Sequence, residues 1–194
     1  MKRILSIIFA ILSLAACSRP ESMLVINGSI SDEFDGRLMY FCPQPKPTAE
    51  IVDSTIIKEG RFRFNIPADS VYVADLRLAL SARGNVERLL IVVEPGILDV
   101  TMGYTSSSCG TALNDSLQCW KEFIAANTAG SGNDFQEFSK KFEERTVSLI
   151  GNNINPLGGF LFMMFGAGFN DTNRQKLLDF GIEEFIPDVS TRRK

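Results

Sequence analysis

The chain has 194 residues, 20 Lys plus Arg against 23 Asp plus Glu, and no histidine. Without histidine there is no Ser-His-Asp or Cys-His catalytic arrangement and no histidine metal ligand. A net charge of −3 offers no phosphate-neutralising surface, so nucleic acid is not an expected partner.

The first segment, MKRILSIIFAILSLAACSRP, joins a basic start (Lys2, Arg3) to an apolar run from Ile4 to Ala16. A bilayer-spanning helix needs about 20 apolar residues, and this run is shorter. A basic start, a short apolar core and a small-residue end form an export signal. Leu14-Ala15-Ala16-Cys17 resembles a bacterial lipobox, in which the cysteine is acylated and becomes the first residue. Residues 1–16 are therefore expected to be a lipoprotein signal peptide, and 17–22 a lipidated tether. Ser18, with no Asp beside the cysteine, favours the outer membrane. The expected localisation is the cell envelope, with the membrane as a partner through lipid on Cys17. Removing two of the 20 cations with the signal leaves 18 against 23 acids, a charge of −5. Arg192-Arg193-Lys194 at the far end reads as a solvated tail.

Residues 23–110 read as an antiparallel β domain. MLVINGSI (23–30), RLMYFC (37–42), 51–57, 61–66, 71–80, 88–96 and ILDVTM (97–102) are about seven short strands with hairpin-length links. DEFDG and Lys58-Glu59-Gly60 are turns, and PQPKP (43–47) is a loop. The clearest stretch alternates Phe62, Phe64 and Ile66 with Arg61, Arg63 and Asn65, which places the apolar side chains on one buried face. From residue 111 the period changes to that of helices. Leu113, Leu117, Trp120 and Ile124 share a face, with Thr111 or Asn114 as cap. Phe135, Phe138, Phe142 and Leu149 follow in a second helix, after a Gly130-Ser131-Gly132 turn. A third starts at Asn155-Pro156. Thr172 with Gln175 suggests a capping box for a fourth. The expected fold class is α+β: an antiparallel sandwich or half-barrel followed by three to four helices over 111–194. In the third, six apolar residues from Phe160 to Phe165 run without interruption. They call for cover on every side, either from the other helices and the sheet or from a docked protein.

Candidate chemistry is sparse. Asp53 and Ser54 are neighbours on a strand, so they point to opposite faces and do not form an acid–nucleophile pair. Glu94, before Pro95-Gly96, reads as a rim residue. Gly110, Thr111, Asn114 and Asp115 form a strand-to-helix junction whose amides could hold an anion, but no phosphate-loop motif accompanies them. With Cys17 acylated, Cys42, Cys109 and Cys119 remain, with no CxxC. Cys119 falls about 10 Å along the helix from its start, so a Cys109–Cys119 bridge requires the chain to double back. Two readings stand: unpaired, mostly buried cysteines, or a structural disulfide within this set, with Cys109 and Cys119 as the first pair to consider. A redox centre ranks below both. No catalytic, cofactor-binding or metal-ligating residue is assigned, and the chain is not expected to be an enzyme.

INGSI, VDSTIIKEGRFRFNIP, and VEPGILDV followed by CGTALNDSL, in that order, resemble the domain of unknown function 4369. That module is common in envelope lipoproteins of Bacteroidetes-type bacteria, and the resemblance spans about residues 23–165. In that family the module often precedes a thioredoxin-like domain, which does not follow here. The resemblance therefore implies a fold and a compartment but carries over no catalytic residue. It leaves two functional readings. One is a non-catalytic, membrane-anchored binding or interaction module, with an envelope protein as partner. The other is an accessory module of a thiol-disulfide system whose redox domain is on another chain.

Overall fold

A computed structural model describes residues 22–44, 53–78, 88–128 and 135–187. The signal segment, Cys17, residues 45–52, the expected Gly130-Ser131-Gly132 turn and the basic tail lie outside the described residues.

Among the described residues, eight strands form two four-stranded sheets. They are β1 (Met23–Ser29), β2 (Leu38–Pro43), β3 (Asp53–Ile56), β4 (Arg61–Pro67), β5 (Tyr72–Leu78), β6 (Arg88–Val93), β7 (Gly96–Thr101) and β8 (Ser107–Cys109). The first sheet runs β4-β1-β7-β8 and the second β3-β2-β5-β6. The inner faces meet in one core. Leu24, Ile26, Phe62, Phe64, Ile66 and Leu98 come from the first sheet, and Met39, Phe41, Leu76, Leu78 and Ile91 from the second. The alternation in β4 is as expected: Phe62, Phe64 and Ile66 are buried, and Arg61 and Arg63 are exposed.

The expected α+β sandwich followed by helices is present, with two refinements. The sandwich is not wholly antiparallel, because β1 pairs in parallel with β7, Leu24 opposite Gly96 through Ser29 opposite Thr101. Parallel neighbours cannot be joined by a hairpin, and here the whole of β2 to β6 is the crossover. An eighth strand, β8, also closes the first sheet against β7.

The β3–β4 link is a tight turn. Lys58 and Arg61 exchange both backbone hydrogen bonds at 2.9 Å. Glu59 and Gly60 between them have φ of 52° and 65°, the geometry of a type I′ turn. The Asp35 carboxylate accepts from both turn amides, Glu59 and Gly60, at 2.9 Å each.

The helices are α1 (Ala112–Thr128), α2 (Phe135–Asn152), α3 (Pro156–Phe165) and α4 (Asp171–Asp179), followed by a 3-10 turn at Ile182–Phe185. They cover part of the second sheet's outer face. Val73 and Val92 from the strands join Leu117, Trp120, Ile150, Leu157, Phe160 and Leu177 in a second core. The molecule thus has three layers: sheet, sheet, helices. Asn155 caps α3, its side chain accepting from the Leu157 and Gly158 amides, with Pro156 in the first turn. Phe160, Leu161 and Phe162 are buried, but Met164 is 55% exposed, so the apolar helix is covered on all but one side.

The helical expectations were off in three places. The cap of α4 is Asn170, not Thr172, because the helix starts at Asp171 and Asn170 accepts from the Asn173 amide. Gln175 bonds Asp179 instead of reaching back to a cap. In α2 the buried residues are Thr146, Val147 and Ile150, while Phe135 is 80% exposed. Phe142 and Leu149 pack against the second core as expected, and Phe138 meets the Phe142 ring.

Candidate functional site

The strand-to-helix junction is structural. The Glu94 carboxylate accepts from the Leu113 amide at 2.7 Å and the Asn114 amide at 3.3 Å. Asp115 accepts from the Gly110 amide. The chain's own carboxylates thus fill the helix N-terminus that was considered for an anion. Thr111 stands at the cap position of α1, its carbonyl accepting from the Asp115 amide at 2.8 Å, whereas Asn114 lies inside the helix. Asn114 is fully buried and bonds both backbone groups of Val92, and its Nδ2 also reaches the Thr111 hydroxyl.

Cys42, Cys109 and Cys119 are free thiols. Cys109 and Cys119 are exposed, not buried as expected: Cys109 ends an edge strand, and Cys119 turns away from the Leu117/Trp120 face. Cys42 is buried on the second sheet's outer face, and that burial pushes its thiol pKa up.

Beside Cys42, and opposite it in the ladder, lies Asp75. Sequence reasoning missed it. Asp75 is fully buried, and its Oδ2 accepts from Gln44 (2.7 Å), Arg77 (2.7 Å) and Arg88 (2.8 Å). The signal was Asp75 and Arg77 at alternate positions of an otherwise apolar strand. Across the same face Lys121 donates to the Leu90 carbonyl, and burial lowers its pKa to about 8. Among the described residues no group of three or more Cys, Asp or Glu is placed to hold a metal ion.

A groove of about 890 Å³ lies where the two sheets part. β4 is an edge of the first sheet and β3 an edge of the second, and the Lys58–Arg61 turn brings them together. The walls are Arg61, Phe62 and Arg63 from β4 and Ser54, Thr55 and Ile56 from β3, with Lys58 at the turn and Asn27, Gly28 and Asp99 beyond. Asp53 lies outside it, its carboxylate turned back to the Ser54 amide. The groove depends on Gly28. The Phe62 ring lies across its Cα, and a Cβ there would sit 2.0 Å from the ring.

The groove is cationic in an acidic protein. Among the described residues none forms an ion pair with Lys58, Arg61 or Arg63; the ion pairs lie in the Asp75 cluster and on α2. The single acid of the lining, Asp99, accepts from Asn27.

A family model described as "Domain of unknown function (DUF4369)" matches residues 24–132. The chain belongs to this family. The match takes in both sheets, the groove and α1, and stops before α2, short of the residue 165 expected from the sequence. No curated protein and no solved structure matches.

Proposed function

We propose that this DUF4369 chain is a cell-envelope lipoprotein, anchored through lipid on Cys17, that works as a non-catalytic binding or interaction module with the β3–β4 groove as its contact surface. Leu14-Ala15-Ala16-Cys17 supports the anchor, and three cations in one groove, with no ion pair among the described residues, support the binding role. Only five residues separate Cys17 from Met23, so the tether reaches at most about 20 Å. The end of the sandwich where β1 begins, beside Pro67 and Gly96, would then lie against the membrane. Arg61 and Lys58 sit at the opposite end, beside Ser29, where β1 finishes. An anchored chain would hold the groove outward, clear of lipid headgroups. The outer membrane is the expected site.

The test is acyl labelling of the full chain, followed by fractionation. Wild-type protein should take up the label and sediment with membranes. Cys17→Ser should lose the label and stall as precursor or become soluble. An unlabelled, soluble wild type with an intact Cys17 thiol ends the proposal.

The second reading is an accessory role in a thiol-disulfide system whose redox domain is on another chain. The exposed thiols of Cys109 and Cys119 favour it. It requires a mixed disulfide to a second protein, trapped in acid-quenched cells and lost in Cys109→Ser or Cys119→Ser.

A further inference from the structure

We infer that the occupant of the groove is an extended acidic polypeptide that adds to β4 as a fifth strand of the first sheet. The inference rests on the binding role proposed above and names its partner. Three observations converge. First, among the described residues the edge of β4 away from β1 pairs only at Arg61, with Lys58 of the turn, so the backbone groups of that edge beyond Arg61 have no neighbouring strand. Peptides bind such edges by main-chain hydrogen bonds. Second, Arg61 and Arg63 are two residues apart on the exposed face of β4, so they stand about 7 Å apart along the strand. An added strand presents alternate side chains to that face at the same spacing. Acids at every second position would meet both guanidinium groups in register, and Lys58 would extend the row around the turn. Third, the in-between side chains of such a strand share the core-facing side of β4, where the Phe62 ring gives the groove an apolar wall. The preferred sequence is therefore acid and apolar residue in alternation, not a uniformly acidic run.

The probe is a short fluorescent peptide alternating glutamate with valine. It is titrated by anisotropy against the full chain purified in mild detergent. Saturable binding that weakens with salt is expected. Arg61→Gln and Arg63→Gln should each weaken it about threefold, and both together about tenfold. Arg174→Gln on α4 should leave it unchanged. Methylating the peptide amides along one edge should abolish binding, while methylation along the other should not, because only one edge faces β4. The double reversal Arg61→Glu with Arg63→Glu should bind a lysine–valine peptide in place of the glutamate one, which guards against mere loss of folding. Equal binding by both methylated isomers would refute strand addition. So would no binding at all, or tighter binding of a sulfated polysaccharide or inorganic phosphate to the same arginines. Acylation of Cys17 does not enter this assay, so failure of the anchor and failure of the strand-addition site are read separately.

Discussion

The Asn114 side chain of α1 pairs with the backbone of Val92 in β6 as a neighbouring strand would. Its Oδ1 accepts from the Val92 amide at 2.9 Å, and its Nδ2 donates to the Val92 carbonyl at 2.8 Å. β6 is an edge of the second sheet, so this one amide both satisfies that edge and fixes α1 to it. Asn114→Ala strands two buried backbone groups, each costing about 1–3 kcal/mol. A loss of about 2–5 kcal/mol is expected by urea denaturation. Asn114→Asp keeps the acceptor but cannot donate to the carbonyl, and should also destabilise. A loss below about 1 kcal/mol for the alanine variant would mean that water replaces the clamp.

The sandwich core gives a second test. Phe64 is 2% exposed and touches the Phe41 and Phe62 rings. Phe64→Ala should cost about 3–5 kcal/mol. Gly28→Ala should act differently, by driving the Phe62 ring off its seat and reshaping the groove. Its mark would be impaired binding at the groove together with a stability loss.

Lys121 predicts a pH dependence. Its pKa is about 8 in the folded chain and 10.5 in its ordinary state. Between these values the unfolded chain binds the proton that the folded chain has released. Stability should therefore rise from about pH 8 towards about pH 10, by on the order of 2 kcal/mol. Below that window both states are protonated, and the folded state bears the full cost of a buried ammonium. The raised Cys42 and Tyr72 pKa values act in the opposite direction at the alkaline end, so the rise should be clearest just above pH 8. Lys121→Met should remove it. A chain whose denaturation midpoint is flat across that window, with or without Lys121, refutes the assignment.

Thiol exposure gives a fourth test. In the native chain Cys109 and Cys119 should react rapidly with a maleimide, and Cys42 only on unfolding. The isolated protein is also expected to show no turnover of insulin disulfides. Activity lost on changing Cys109 or Cys119 would reverse that expectation.

The strands were legible where alternation was strict, as in Phe62, Phe64 and Ile66. The parallel pairing of β1 with β7 was not, because alternation reports faces and says nothing of neighbours. β8, at three residues, was too short to carry a period. The two exposed cysteines were misjudged for another reason. Composition ranks cysteine as buried, and it is an edge position or a helix's solvent face that overrides it. Arg61 and Arg63 were placed outside correctly. Their convergence with Lys58 and the β3 edge depends on how two sheets part, which no single strand records. Asp75 is the clearest miss, since an acid in an apolar strand becomes interpretable only with Arg88, brought in from the next strand.

The parallel pairing of β1 with β7 also sets the order of events in folding. Asn27 meets Asp99 across 72 residues of chain. The first strand made is an inner strand of its sheet, and one of its two neighbours is among the last β residues to appear. Until residue 101 has emerged, the apolar side chains of Leu24 and Ile26 lack half their shelter, and no hairpin can supply it early. Such long-range closure slows folding. A growing chain would therefore expose a sticky N-terminal strand for most of its synthesis. This topology makes the nascent chain a natural client for a holding chaperone, and it makes truncation anywhere before residue 101 far more damaging than loss of the helices that follow.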